Sequence, residues 1–123
     1  LAFLNTNAED VNLVLMEFMA CAKPVVASLN SGHRDVLTEE NSLPVKKMTP
    51  FEFRDANGEP AALWEDPDLD EVVEKLEFAY QNRSRIRELG RQAGRDMQAM
   101  TWAHTARNLL AKIGIPVSPR AAA

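Results

Sequence analysis

Residues 9–27 read Glu9-Asp10-Val11-Asn12-Leu13-Val14-Leu15-Met16-Glu17-Phe18-Met19-Ala20-Cys21-Ala22-Lys23-Pro24-Val25-Val26-Ala27, and this stretch decides the fold. Every residue from 13 to 22 is apolar except Glu17. A helix that is apolar nearly all round belongs inside a domain. A lone carboxylate on such a helix is costly to bury unless something pairs with it, so Glu17 reads as a functional group rather than a structural accident. Lys23-Pro24 ends the helix, because the residue before a proline is pushed out of the α region. Val25-Val26-Ala27 then reads as a short, fully buried strand of a parallel sheet. With the apolar run at 1–4 as a first strand and the polar residues 5–8 as a loop, the order is that of a βαβ unit. In such units ligands sit at the carboxyl ends of the strands, against a helix N-terminus.

The spacing Glu9-x7-Glu17, the run Phe18-Met19-Ala20-Cys21-Ala22-Lys23-Pro24-Val25-Val26-Ala27 and the apolar strand before them together resemble one region of a known family. It is the donor-binding domain of retaining, GT-B-type glycosyltransferases, which are built from two Rossmann-like domains and include many bacterial polysaccharide and lipopolysaccharide transferases. There a strand ends in a short loop, a Glu-x7-Glu pair follows, and then a run like Glu-Ala-Met-Ala-Cys-Gly-Lys-Pro-Val-Val-Ala. The resemblance implies that Glu9 contacts hydroxyls of the donor sugar and Glu17 the ribose of the nucleotide. It also implies that backbone amides around Val11, Asn12 and Leu13 face the diphosphate. Elementary physics agrees, since the first turn of a helix carries unpaired N–H groups and the positive end of the dipole. One departure stands out. Where the family usually has Gly-Phe-Gly this chain has Asp10-Val11-Asn12, losing glycines that let a backbone approach phosphate closely and adding a negative charge beside an anionic ligand.

What the resemblance implies for the whole chain is an α/β fold: a partial, Rossmann-like parallel sheet with flanking helices, a β-hairpin insertion and a helical C-terminal half. It covers the later half of a donor-binding domain, with residues 1–116 as one domain and 117–123 as a disordered tail. The chain starts at Leu1 rather than Met, and the expectation is a fragment whose N-terminal acceptor domain and early strands are missing. The implied partner is a nucleoside-diphosphate sugar of the UDP, GDP or ADP type, and the implied reaction is hexosyl transfer by the parent protein. No catalytic residue is assigned within this chain and no cofactor is implied.

Length and composition bound the alternatives. At 123 residues there is one modest core rather than two. A net charge of −4 argues against general nucleic-acid binding. The single cysteine, Cys21, excludes an internal disulfide and fits a reducing, cytoplasmic compartment. Its place in the apolar helix reads as a small core residue. No apolar run approaches membrane-spanning length, and no secretory signal is present.

Beyond the strand at Val25-Val26-Ala27, Ser28-Leu29-Asn30-Ser31-Gly32-His33-Arg34-Asp35-Val36-Leu37 resembles a family segment with a double glycine, here Ser31-Gly32, and a short helical turn carrying an acidic residue, here Asp35. Histidine is the side chain suited to carry a proton near neutral pH, but a single histidine on a loop, His33, reads as structural before it reads as a ligand. His33 and His104 lie far apart and no Cys/His cluster exists, so no metal site is expected. Leu43-Pro44-Val45 reads as a third strand. Phe51-Glu52-Phe53-Arg54 alternates, Asn57-Gly58 signals a type I′ turn, and Ala61-Ala62-Leu63-Trp64 returns. These predict a hairpin whose aromatics pack onto the domain.

The remaining sequence predicts three helices. Asp68-Leu69-Asp70-Glu71 resembles a capping box, followed by an apolar stripe of Leu69, Val72, Val73, Leu76, Ala79 and Tyr80. The second helix turns Ile86, Leu89, Ala93 and Met97 inward. Thr101 caps the third, which carries Trp102, Ala106, Leu109, Leu110 and Ile113 and stops at Gly114 and Pro116. Arg87, Arg91 and Arg95 form a basic stripe, read first as a solvated face, with peripheral membrane association as its functional alternative. Two functions remain in view: a donor-binding glycosyltransferase domain, and a non-catalytic interaction or regulatory domain that keeps the fold, has lost the donor, and forms a homodimer.

Overall fold

Short parallel strands need helices to cover them and to carry the chain back, and the sequence supplies both. The computed structural model describes residues 2–4 and 12–116. Strand β1 (Ala2–Leu4) pairs in parallel with β2 (Val25–Ser28), and β2 pairs in parallel with β3 (Leu43–Val45), giving the order β1-β2-β3. Helix α1 (Leu13–Ala20) carries the chain from β1 to β2, and a 3₁₀ turn (Ser31–Asp35) lies between β2 and β3.

Because side chains alternate along a strand, β2 serves two faces at once. Val25 and Ala27 join Leu15 and Met19 of α1 in the larger core, together with Val36, Leu37, Ala93 and Met97. Val26 points the other way and packs with Val45 of β3 and Val72. The sheet is thus covered on one side by α1 and α3 (Arg83–Gln98) and on the other by α2 (Leu69–Gln81). Ala79, Ile86 and Leu89 close the α2–α3 junction over Leu43. The fold is α/β, a partial Rossmann-like layered arrangement, as the βαβ reading expects.

Helix α1 corrects one expectation. Only Leu15 and Met19 are buried on it, and Leu13, Val14, Glu17, Phe18 and Cys21 are exposed. The physical reason is geometric: β2 and α3 together cover one side of the helix, and the five exposed residues share the opposite side at helical spacing. Cys21 is therefore no core residue, and Glu17 needs no buried partner.

The ends of α1 are well specified. Asn12 is the N-cap, its side chain accepting from the Leu15 N–H at 3.1 Å. At the other end the Lys23 N–H bonds the Phe18 carbonyl and the Ala22 N–H bonds the Met19 carbonyl, both at 2.9 Å. That is a Schellman motif, and Ala22 takes its left-handed position at φ +54°. Helix α4 (Trp102–Lys112) ends in the same motif with Gly114 at φ +74°.

The hairpin consists of β4 (Met48–Arg54) and β5 (Pro60–Pro67) and forms its own two-stranded sheet. Two expectations change here. The turn is not type I′: Gly58 has φ +83° but Asn57 does not join it at positive φ. The Gly58 N–H bonds the Asp55 carbonyl at 3.0 Å, and the Asp55 carboxylate accepts from the Asn57 and Glu59 amides at 2.8 and 3.0 Å. This is a three-residue loop with a left-handed glycine, favoured because Asp55 holds an Asx turn. The aromatics pack on one another rather than onto the parallel sheet: Trp64 stacks on Phe53 at 4.4 Å between ring centroids and tilts against Phe51 at 6.2 Å. None of the three belongs to a core cluster of the domain.

The helical half follows the periodic reading on α3 but not on α4, which buries none of its residues because no described element packs over its apolar stripe. Ile86, Leu89, Ala93 and Met97 are all buried. Asp68 caps α2, accepting from the Glu71 N–H at 2.8 Å. The capping box stays half made, because the Glu71 side chain turns to the strand corner instead. Its Oε2 accepts from the Lys46 and Lys47 amides at 2.8 and 2.6 Å. On the predicted α2 stripe, Val72 and Ala79 are buried while Leu69, Val73, Leu76 and Tyr80 remain exposed. No described helix is long and apolar enough to cross a membrane.

Candidate functional site

Parallel sheets present ligand-binding loops at the carboxyl ends of their strands, here after Leu4, Ser28 and Val45. The first of these edges leads to the start of α1. Glu9 and Val11 lie outside the described residues. Asn12 and Leu13 are described, and Leu13 is 71% exposed at the first helical position. The Asn12 side chain occupies the Leu15 N–H, so the Leu13 and Val14 amides stand at the front of the first turn.

Glu17 lies one turn further along. Leu13 and Glu17 are four residues apart and share a face, with Val14, Phe18 and Cys21 beside them, all exposed. The carboxylate thus sits in the middle of an apolar, accessible strip. It can accept hydrogen bonds from a hydroxylated ligand in exchange for those it makes to water.

The second edge was less visible in the sequence. At the carboxyl end of β2 a groove of about 560 Å³ opens between the 3₁₀ turn and the hairpin, lined by Asn30, Ser31, Arg34, Pro50, Trp64 and Glu65 among others. Arg34 places a cation there. Its Nε donates to the Leu29 carbonyl at 3.3 Å, and its guanidinium lies 3.9 Å from the Glu65 carboxylate. Both charges are largely solvated, so the pair contributes little to stability. Arg34 lies within the family-like segment at 28–37, and that membership was the only sequence signal for it. Trp64 was legible as a hairpin aromatic but not as a groove wall, because the wall exists only once β5 folds back toward β2.

His33 is structural. It is 1% exposed, and its Nδ1 donates to the Ser28 carbonyl at 2.8 Å, tying the 3₁₀ turn to the end of β2. Asn41 does similar work on the next loop: its side chain accepts from the Thr38 amide at 2.8 Å and donates to Val36 carbonyl and to Asp96 of α3 at 3.0 and 2.9 Å. Among the described residues no group of His, Cys, Asp and Glu side chains is placed to hold a metal ion. What the arrangement offers chemically is recognition: a helix start with an accessible carboxylate one turn along α1, and separately a cation in the groove after β2. No protein-family model matches the chain, and no curated protein matches it in sequence.

Proposed function

We propose that this chain is the donor-binding portion of a glycosyltransferase that moves a sugar from a nucleoside diphosphate to an acceptor. The observation that carries the reading is the position of α1. It connects two parallel, adjacent strands, it starts after the carboxyl end of the first, and it bears Glu17 on its accessible side. Glu17 receives the ribose hydroxyls, which a carboxylate can accept in pairs. The Leu13 and Val14 amides and the helix dipole meet the diphosphate. Glu9 is assigned the donor sugar on the strength of the Glu-x7-Glu spacing alone.

A second reading is favoured by one contact. Asn12 Oδ1 fills the position at the helix start that a phosphate oxygen would take, and a filled N-terminus suits a domain that keeps the fold without the donor. Fold does not decide between the two. Calorimetric titration with UDP, GDP and ADP does. Saturable binding of one diphosphate, weakened at least tenfold by Glu17→Ala, supports the donor site. Binding of none, or binding indifferent to Glu17, supports the second reading.

A further inference from the structure

A single residue joins α2 to α3. Asn82 ends the first helix and begins the second, and it serves the first: its amide and its side-chain nitrogen both donate to the Phe78 carbonyl at 2.9 Å. The start of α3 is left with no side-chain cap and no acidic residue in its first turn. Arg83 and Arg85 stand in that turn instead, and Arg87 opens the next. Cations at the positive end of a helix dipole are unfavourable, and so are like charges one turn apart. Arg85 is relieved by Glu88 at 3.4 Å. Among the described residues neither Arg83 nor Arg87 enters an ion pair. Local rules broken together at one place, with no structural gain to show for it, mark functional positions.

That place is a cleft. About 460 Å³ opens between the end of α2 and the start of α3, lined by Arg83, Arg87 and Tyr80 together with an apolar set. Ala79 and Ile86 in this set are buried and belong to the core cluster with Leu89, while Leu76 and Tyr80 are accessible from solvent. The Arg83 guanidinium lies over the Tyr80 ring, 5.1 Å from its centroid, so the ring holds one cation on the wall of the cleft. Arg87, four residues on, shares that side of α3. Pro24 also lines the cleft and directly precedes β2. The cleft therefore lies toward the amino end of the sheet, away from the loops after Leu4, Ser28 and Val45.

We infer that this cleft binds a small phosphate ester, its phosphate bridging Arg83 and Arg87 and its apolar or aromatic body lying over Leu76, Ala79 and Ile86 beside Tyr80. The size is that of a small-molecule site, and an apolar lining with a few converging polar groups is its usual make-up. Two guanidinium groups select phosphate. A phosphate near its second ionisation brings close to two negative charges and enough oxygens for paired hydrogen bonds to each arginine, whereas a carboxylate brings one charge. The ligand also relieves the repulsion between the two arginines and their mismatch with the helix dipole, so the charges that burden α3 favour binding. The inference does not depend on the donor reading, because that site lies after the carboxyl ends of the strands.

The test is an amide NMR titration of the full chain with phenyl phosphate, beside inorganic phosphate and phenol. The expected result is saturable shifts around Tyr80, Arg83, Ile86 and Arg87, with phenyl phosphate binding roughly tenfold more tightly than either half of it. Arg83→Gln with Arg87→Gln should weaken phenyl phosphate by roughly tenfold or more. The circular dichroism should not change, because both arginines are exposed. Arg85→Gln removes the same charge from the same turn but does not line the cleft, and it should leave the affinity unaltered. Leu76→Gln should weaken phenyl phosphate and spare inorganic phosphate. Absence of shifts at millimolar phenyl phosphate overturns the inference. So does inorganic phosphate binding as tightly as its phenyl ester, and so does an equal loss in Arg85→Gln. Much tighter binding of a phosphotyrosine peptide would assign the cleft to a protein partner and overturn the small-molecule reading.

Discussion

Gly90 of α3 lies so close to Ala22 that a β-carbon on it would stand 2.6 Å from the Ala22 carbonyl oxygen and 2.9 Å from the Pro24 nitrogen. Both neighbours are backbone atoms of the link between α1 and β2, so neither can swing aside. The contact sets how near α3 approaches the βαβ unit. Gly90→Ala should therefore destabilise the chain by about 1–3 kcal/mol, read as a lower denaturant midpoint with an unchanged slope.

Ala22 itself carries the opposite prediction. It occupies the left-handed place of a Schellman motif where α4 uses Gly114. The left-handed conformation costs an L-residue about 1–2 kcal/mol, while glycine returns roughly 0.5–1 kcal/mol of that through its greater freedom when unfolded. Ala22→Gly should stabilise by about 0.5–1 kcal/mol, measured as a raised Tm.

Glu71 joins α2 to the corner after β3 through the Lys46 and Lys47 amides. Hydrogen bonds to a charged group contribute roughly 1.5–3 kcal/mol each. Glu71→Ala should cost on the order of 3 kcal/mol or more and speed amide exchange at Lys46 and Lys47. Glu71→Gln keeps one acceptor and should cost about half as much.

Asp55 makes the hairpin acid-sensitive. The Glu59 amide first, then the Asn57 amide, hold its carboxyl below the usual aspartate value of 3.8. A depressed folded-state pKa means the stabilisation is complete above the unfolded value and is lost as pH falls through the folded one. The near-ultraviolet signal of the Phe53–Trp64 stack should fade as acidification passes below 3.8. Asp55→Ala should show the weakened signal already at neutral pH.

How much of this was legible follows from the range of each interaction. The buried strand at Val25-Val26-Ala27, the inward set Ile86, Leu89, Ala93 and Met97, and the cap at Thr101 depend on local pattern and were read correctly. The exposure of Glu17 was not, because apolar periodicity cannot tell which side of a helix a neighbour covers. Asn57-Gly58 pointed to the wrong turn because the Asp55 side chain, two residues upstream, outweighed the dipeptide. Glu71 looked like half of a capping box, and only the folded corner after β3 brings it the Lys46 and Lys47 amides. Arg34 and Trp64 meet across a groove only through tertiary folding. Of the site itself, the helix start at Leu13 was readable, the choice of Asn12 as its cap was settled only by the folded chain, and Glu9 and Val11 lie outside the described residues.

The most direct test of the donor-site proposal is an amide NMR map of the chain titrated with UDP, GDP and ADP, with Glu17→Ala alongside. Glu17 is exposed, so this variant should stay folded and its effect should report binding alone. The account predicts shifts concentrated from Glu9 to Glu17 for one of the three nucleotides, and their loss in the variant. Shifts confined to other surfaces, or identical in Glu17→Ala, would contradict it.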